Sequence, residues 1–256
     1  MSDLFSIEGK TALVTGGSRG IGLLIARGYV EAGARTYISS RKADVCEQIA
    51  SELSAGGTCI PLPADLSTLD GVRQLVGEIS AREPALHILV NNAGANWGAP
   101  LEEFPESGWD KVMNLNLKSI FFLTRDLLPQ LRKAATPEDP ARVINIGSVD
   151  GLHVPSLETY SYSASKAGLH HLTRVLARRL APDHINVNGV APGAFESKMM
   201  EETLRNFGEQ MRQTIPRRRI GEPDDMAGIA IFLASRASAY TTGALIPVDG
   251  GVSTCL

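Results

Sequence analysis

Tyr162 and Lys166 stand one helical turn apart in Tyr162-Ser-Ala-Ser-Lys166. On an α-helix, residues at i and i+4 project from one face, so this spacing sets an ammonium beside a phenol. A free phenol titrates near ~10, and a fixed cation in a partly desolvated setting favours its ionised form. Such a phenol can exchange a proton with an oxygen whose carbon gains or loses a hydride. The pair alone is a weak signal, because Tyr-x-x-x-Lys also arises by chance. Tyr160 shows the contrast: Ala164 follows it at the same spacing and supplies no cation.

The second chemical feature is Thr15-Gly-Gly-Ser-Arg-Gly-Ile-Gly22, which joins an apolar run to a helical pattern. Gly16, Gly20 and Gly22 permit a tight turn, and the backbone around Ser18, Arg19 and Ile21 can then reach a pyrophosphate at the helix N-terminus. The spacing is Gly-x-x-x-Gly-x-Gly, with Ile25 where a Gly-x-Gly-x-x-Gly pattern would place its last glycine. The plainer reading is a strand-to-helix turn. The next apolar run ends in Ile38-Ser-Ser-Arg41-Lys42, where a dinucleotide fold selecting NAD would carry an acid. Arg41, with Arg19, can instead form charge-assisted bonds to a 2'-phosphate, which favours NADP(H). The plainer alternative is a pair of solvated loop charges.

These residues need a frame. Apolar runs at Thr11 to Val14, Arg35 to Ser39, Thr58 to Leu62, Leu86 to Val90, Arg142 to Ile146, Ile185 to Val190 and Leu245 to Val248 alternate with helical patterns. The helices are expected at 20–32, 43–54, 68–82, 107–133, 161–181, 197–213 and 223–235. This predicts an α/β fold, a Rossmann-type doubly wound parallel sheet of seven strands in a single domain over 1–256, with its ligands at the carboxyl ends of the strands. The 256 residues are 43% apolar and 21% charged, with net charge -3 and pI about 6.0. That balance gives no basic field for nucleic acid or an anionic membrane. Cys46, Cys59 and Cys255 are scattered, so neither a disulfide framework nor a metal site is expected. With no long apolar run and no leader pattern, the reading is a soluble, unprocessed, cytoplasmic protein.

Taken in order, the motifs resemble those of the short-chain dehydrogenase/reductase family over nearly the whole chain. Thr15 to Gly22 matches its Thr-Gly-x-x-x-Gly-x-Gly; Asp65-Leu66 matches its adenine-side acid; Asn91-Asn92-Ala93-Gly94 matches the motif closing the fourth strand. Asn116, Ser148, Tyr162 and Lys166 match its catalytic tetrad, and Pro192-Gly193 its turn after the sixth strand. Singly, Asn116 reads as a locally bonded helix side chain, Ser148 as a turn hydroxyl and Asp65 as a helix N-cap. Two departures stand out. Ser197 replaces the usual threonine facing the nicotinamide carboxamide, and the stretch from Ser148 to Tyr162 is longer than usual, through Gly151-Leu-His-Val-Pro-Ser-Leu157.

The resemblance implies carbonyl reduction: Tyr162 donates the proton, Ser148 binds the substrate oxygen, Lys166 holds the nicotinamide ribose and lowers the tyrosine pKa, and Asn116 positions a relay water. It also places Phe195 and Ser197 beside the cofactor and a substrate lid at about 194–216. In the lid, Phe195, Met199, Leu204, Phe207, Met211 and Ile215 form either an acyl-chain face or an ordinary packing stripe. Whole-chain similarity favours the β-ketoacyl reductase branch: NADPH-dependent reduction of a 3-oxoacyl thioester, on acyl carrier protein or coenzyme A, in fatty acid or rhamnolipid precursor synthesis. Arg132, Lys133, Arg174, Arg178 and Arg179 are candidates for docking an acidic carrier, and Arg217-Arg-Arg219 reads as a lid anchor. A homo-oligomer, tetramer or dimer, is expected, and no metal. The alternatives are a reductase of sugar alcohols, steroids or cyclic ketones, and a non-catalytic NADP-binding sensor or scaffold.

Overall fold

Neighbouring side chains on a strand point to opposite faces, and the central runs of this chain are apolar at consecutive positions, so both faces need cover. The computed structural model describes residues 2–196 and 200–255. Its strands are β1 (Thr11–Thr15), β2 (Arg35–Ser39), β3 (Cys59–Pro61), β4 (Ile88–Asn91), β5 (Ala141–Ile146), β6 (Ile185–Pro192) and β7 (Leu245–Val248). They form one sheet in the order β3-β2-β1-β4-β5-β6-β7, parallel throughout. The order reverses between β1 and β4, where a crevice opens at the carboxyl ends.

The helices are α1 (Gly20–Glu31), α2 (Ala43–Leu53), α3 (Leu69–Arg82), α4 (Glu106–Met113), α5 (Ser119–Asp126), α6 (Leu128–Ala134), α7 (Tyr160–Leu180), α8 (Glu201–Thr214) and α9 (Pro223–Ala234). Ala12 and Val14 face one side with Ile25 and Tyr29 of α1 and Met226 and Leu233 of α9. Leu13 faces the other with Leu75 and Ile79 of α3, Leu123 of α5 and Leu180 of α7. The polar residues in these layers are hydrogen-bonded where they matter for alignment: the Tyr29 hydroxyl donates to the Ala230 carbonyl, and Arg142, 1% exposed, donates to the Ser235 carbonyl and to Asp139.

Most expected elements occur within a residue or two, with one correction of consequence. The pattern over 107–133 predicts a single helix, but the chain forms three helical pieces separated by a π turn, Asn114–Lys118, and by a break before Pro129. Proline cannot continue the hydrogen-bond ladder, which accounts for the second break. The π turn carries Asn116, and its extra residue per turn changes the direction of that side chain. The segment expected as helix from 197 forms α8 from Glu201. Among the described residues no helix is long and apolar enough to cross a membrane, and Cys46, Cys59 and Cys255 are free thiols.

Candidate active site

The glycine turn is built around Asn92 and Thr15. Asn92 Nδ2 donates to the carbonyls of Thr15 and Gly16, while Thr15 Oγ1 accepts the Asn92 and Ala93 N–H groups and donates to the Val90 carbonyl. This clamp ties the ends of β1 and β4 together. Gly16 has φ 65°, and a Cβ on Gly22 would fall 2.3 Å from both Asn92 Nδ2 and the Gly16 oxygen. Both positions therefore demand glycine. Arg19 is the N-cap of α1 and makes no side-chain cap bond, so the first N–H groups of α1 remain open to an anion. Arg41 lies exposed past the end of β2, and among the described residues neither it nor Arg19 is ion-paired.

Asp65 is exposed, and its Oδ1 accepts the Ser67 N–H at 3.0 Å. The N-cap of α3 is Thr68, whose hydroxyl accepts from Gly71, so Asp65 keeps a carboxylate oxygen for a ligand. Leu66 packs into the core and presents only its backbone. Gly94 packs closely on Asn116, where an added Cβ would lie only 3.3 Å from Oδ1. Pro192 and Gly193 leave β6 under the Val248 carbonyl. The Phe195 ring is buried against Gly221, which leaves its backbone at the β6 exit. Ser197 lies outside the described residues, as does Met199.

Tyr162 and Lys166 share one face of α7, as their spacing predicts. Lys166 is 4% exposed; its Nζ donates to the Ile146 carbonyl at 2.8 Å and lies 5.5 Å from the Tyr162 ring centroid. Ser148 lies two residues past β5, and its Oγ accepts the Asp150 N–H. Asn116 is fully buried: Oδ1 accepts the Ala95 N–H at 2.8 Å, and Nδ2 donates to the Ala95 carbonyl and to Ser165 Oγ. Ser165 then donates to the Tyr162 carbonyl at 2.7 Å. Asn116 is thereby tied to Tyr162 through Ser165, Lys166 lies beside the Tyr162 ring, and the Ser148 hydroxyl faces the phenol.

The electrostatics correct one expectation. Burial pushes the Tyr162 phenol up to about 12, with the Ser148 hydroxyl opposing and the Asp150 carboxylate adding to the rise. Burial pulls the Lys166 ammonium down to about 8, with Asp150 opposing. In the protein alone desolvation outweighs the cation that the spacing supplies. The outcome is a protonated phenol, the form a proton donor needs.

Sequence reading gives no role to the layer beneath this site. Asn91 Nδ2 donates to Thr124 Oγ1 and Asn145 Oδ1, and Asn145 Nδ2 donates to Thr173 Oγ1. This buried ladder fixes the ends of β4 and β5 against α5 and α7. Asn145 between isoleucines in an apolar strand is the signal that could have found it.

A cavity of about 600 Å³ lies apart from the tetrad, between Phe195, Ile215 to Arg217 past the end of α8, and the tail at Gly250 to Cys255. Just past the segment expected as a lid, Arg219 donates through both Nη atoms to Asp225, at 2.5 and 2.9 Å. That pairing holds the Asp225 carboxyl down at about 2. Of the apolar residues of the expected lid, Phe195 and Ile215 are buried; the side chains of Leu204 and Phe207 lie outside the described residues.

A nucleotide cradle at a strand-order reversal beside a Ser, Tyr and Lys cluster defines a hydride-transferring oxidoreductase of the Rossmann type. The short chain dehydrogenase family model matches residues 10–207, and the chain belongs to that family. It is 52% identical to the rhamnolipids biosynthesis 3-oxoacyl-[acyl-carrier-protein] reductase of Pseudomonas aeruginosa, over 98% of this chain and 99% of that protein. It is 34% identical to the gluconate 5-dehydrogenase of Gluconobacter oxydans, over 99% and 98% of the two chains. The solved Pseudomonas aeruginosa RhlG/NADP active-site complex superposes with a TM-score of 0.96 at 50% identity, covering 99% of this chain and 100% of that one.

Proposed function

We propose that this chain is an NADPH-dependent 3-oxoacyl thioester reductase built as one catalytic domain. The observation that carries the reading is the set of Asn116, Ser148, Tyr162 and Lys166 at the crevice, in a chain 52% identical over its length to a 3-oxoacyl-carrier-protein reductase. The uncapped N-terminus of α1 suits a pyrophosphate, and exposed Arg19 and Arg41 suit a 2'-phosphate. The Lys166 ammonium, with one protein acceptor at Ile146, keeps donors for ribose hydroxyls. Bound NADPH supplies the hydride. Ser148 orients the carbonyl oxygen and stabilises its growing charge; Tyr162 delivers the proton from its protonated phenol; Asn116 and Lys166 lead a replacement proton in from solvent.

The carrier-docking candidates separate by position. Arg178 and Arg179 close the far end of α7, and helix rise puts Arg178 about 24 Å from Tyr162. Arg132 pairs with Asp183 at that same end. These residues, with Lys133, lie at a distance that only a carrier's extended prosthetic arm would span, whereas Arg217 and Arg218 are exposed just past α8. We place the enzyme in the cytoplasm as a homo-oligomer. Support for assembly comes from an apolar groove of about 370 Å³ on the outer face of α5 and α7, lined by Leu117, Phe121, Leu172 and Val175.

The test is NADPH oxidation with short and long 3-oxoacyl thioesters, on carrier protein and on coenzyme A, beside 5-ketogluconate and cyclic ketones, each repeated with NADH. Preferred turnover of the thioesters with NADPH supports the reading. Preferred turnover of the sugar acid would move the enzyme toward the gluconate dehydrogenases that its 34% identical relative exemplifies.

A further inference from the structure

Three polar residues of α7 follow one another at i, i+4 and i+8 on the face toward the strand ends: Tyr162, Lys166 and His170. The proposed reaction uses the first two. His170 is 4% exposed, and its Nε2 accepts the main-chain N–H of Ser148 at 3.4 Å. The ring fills a slot left by two glycines of the segment that carries Ser148. A Cβ on Gly147 would lie 2.1 Å from His170 Nε2, and one on Gly151 would lie 2.6 Å from Cε1.

An imidazole that accepts at Nε2 is neutral and carries its proton on Nδ1. Its surroundings enforce that form: burial lowers the His170 pKa to about 4, the Gly151 backbone opposes, and the Lys166 and Arg174 cations lower it further. Among the described residues Nδ1 makes no hydrogen bond of regular geometry, and the Gly151 backbone is the polar group beside the ring. A buried donor so poorly paired is costly, so an aliphatic side chain would fill this slot more favourably if packing were its only duty. What an aliphatic residue cannot do is accept the Ser148 N–H.

We propose that His170 is a positioning residue: through the Ser148 N–H it fixes the turn at the end of β5 and thereby aims the Ser148 hydroxyl at the reacting carbonyl. The proposal rests on the carbonyl-reductase reading of the site but on no particular carbonyl. Sub-ångström errors in the placement of an oxyanion-binding hydroxyl cost turnover more than ground-state binding.

The experiment compares His170→Leu, which keeps the bulk and loses the acceptor, with His170→Gln, whose amide oxygen can accept. Turnover is read on whichever carbonyl the wild-type enzyme reduces, so a wrong substrate assignment shows first as an inactive wild type on thioesters. The Leu variant should lose kcat by at least about tenfold, with KM and NADPH affinity within about twofold, and the Gln variant should recover most of it. Undiminished kcat in the Leu variant, or equal losses in both, overturns the proposal. Should the Leu variant fail to fold, the ¹⁵N spectrum of the wild-type histidines decides. His170 must show an unprotonated Nε2 that does not titrate between about pH 5.5 and 8, and it is told from His87 by the nitrogen that accepts, which in His87 is Nδ1. A protonated Nε2, or titration near the ordinary histidine value, contradicts it.

Discussion

At the scale of single residues, the site places two ionisable groups in one desolvated space and drives their pKa values apart. The Tyr162 phenol rises to about 12 and the Lys166 ammonium falls to about 8. The phenol therefore stays protonated over the working range, and the lysine is the group that titrates. Its charged form holds below about 8 and is lost as pH rises through that value. We expect kcat/KM for NADPH, which reports the free enzyme, to be flat on the acid side and to fall above about pH 8. A profile level to pH 10 would show that Lys166 is not the titrating partner. The residue types and their four-residue spacing were legible in the sequence; the sign of the tyrosine shift was not, because burial is set by the surrounding fold.

At the scale of elements, the π turn at Asn114–Lys118 decides where Asn116 points. An uninterrupted helix over this stretch is what the sequence pattern predicts, since hydrophobic periodicity tolerates one inserted residue. Only the buried bonds from Asn116 to both polar groups of Ala95 and to Ser165 explain the insertion. Asn116→Ala removes all three and leaves the Ala95 main chain unpaired. It should cost about 2 kcal/mol, seen as a melting temperature lower by about 4 °C, and lower kcat at least about tenfold because Ser165 holds the Tyr162 carbonyl. A variant that melts and turns over like the parent would show the turn to be incidental. The strand ends that carry Thr15, Asn92, Ser148 and Pro192 were legible from apolar runs stopped by turn residues. The Asn91–Asn145–Thr173 ladder was not, because its members are distant in sequence and meet only when β4, β5 and α7 do.

At the scale of the whole molecule, the sheet order follows from right-handed crossovers of parallel strands, and the crevice lies at its reversal. What the sequence conceals is the outer surface. Leu172 shares the apolar spacing of Leu169, Leu176 and Leu180 along α7, yet it lines the external groove with Phe121 and Val175, which are 39% and 50% exposed. An isologous dimer sets one surface patch against the same patch of a second copy, and an exposed apolar face is the kind of surface it covers. Phe121→Asp combined with Val175→Asp should lower the solution mass by at least half in light scattering while secondary structure is retained. An unchanged mass would remove α5 and α7 from the assembly.

The central claim is that Tyr162 donates the proton in carbonyl reduction by NADPH. It is tested by steady-state turnover of Tyr162→Phe beside a titration of NADPH binding. The phenylalanine ring keeps the packing and lacks the hydroxyl, so kcat should drop by at least about a thousandfold with NADPH affinity within about twofold of the parent. Turnover within a few fold of the parent would contradict the account.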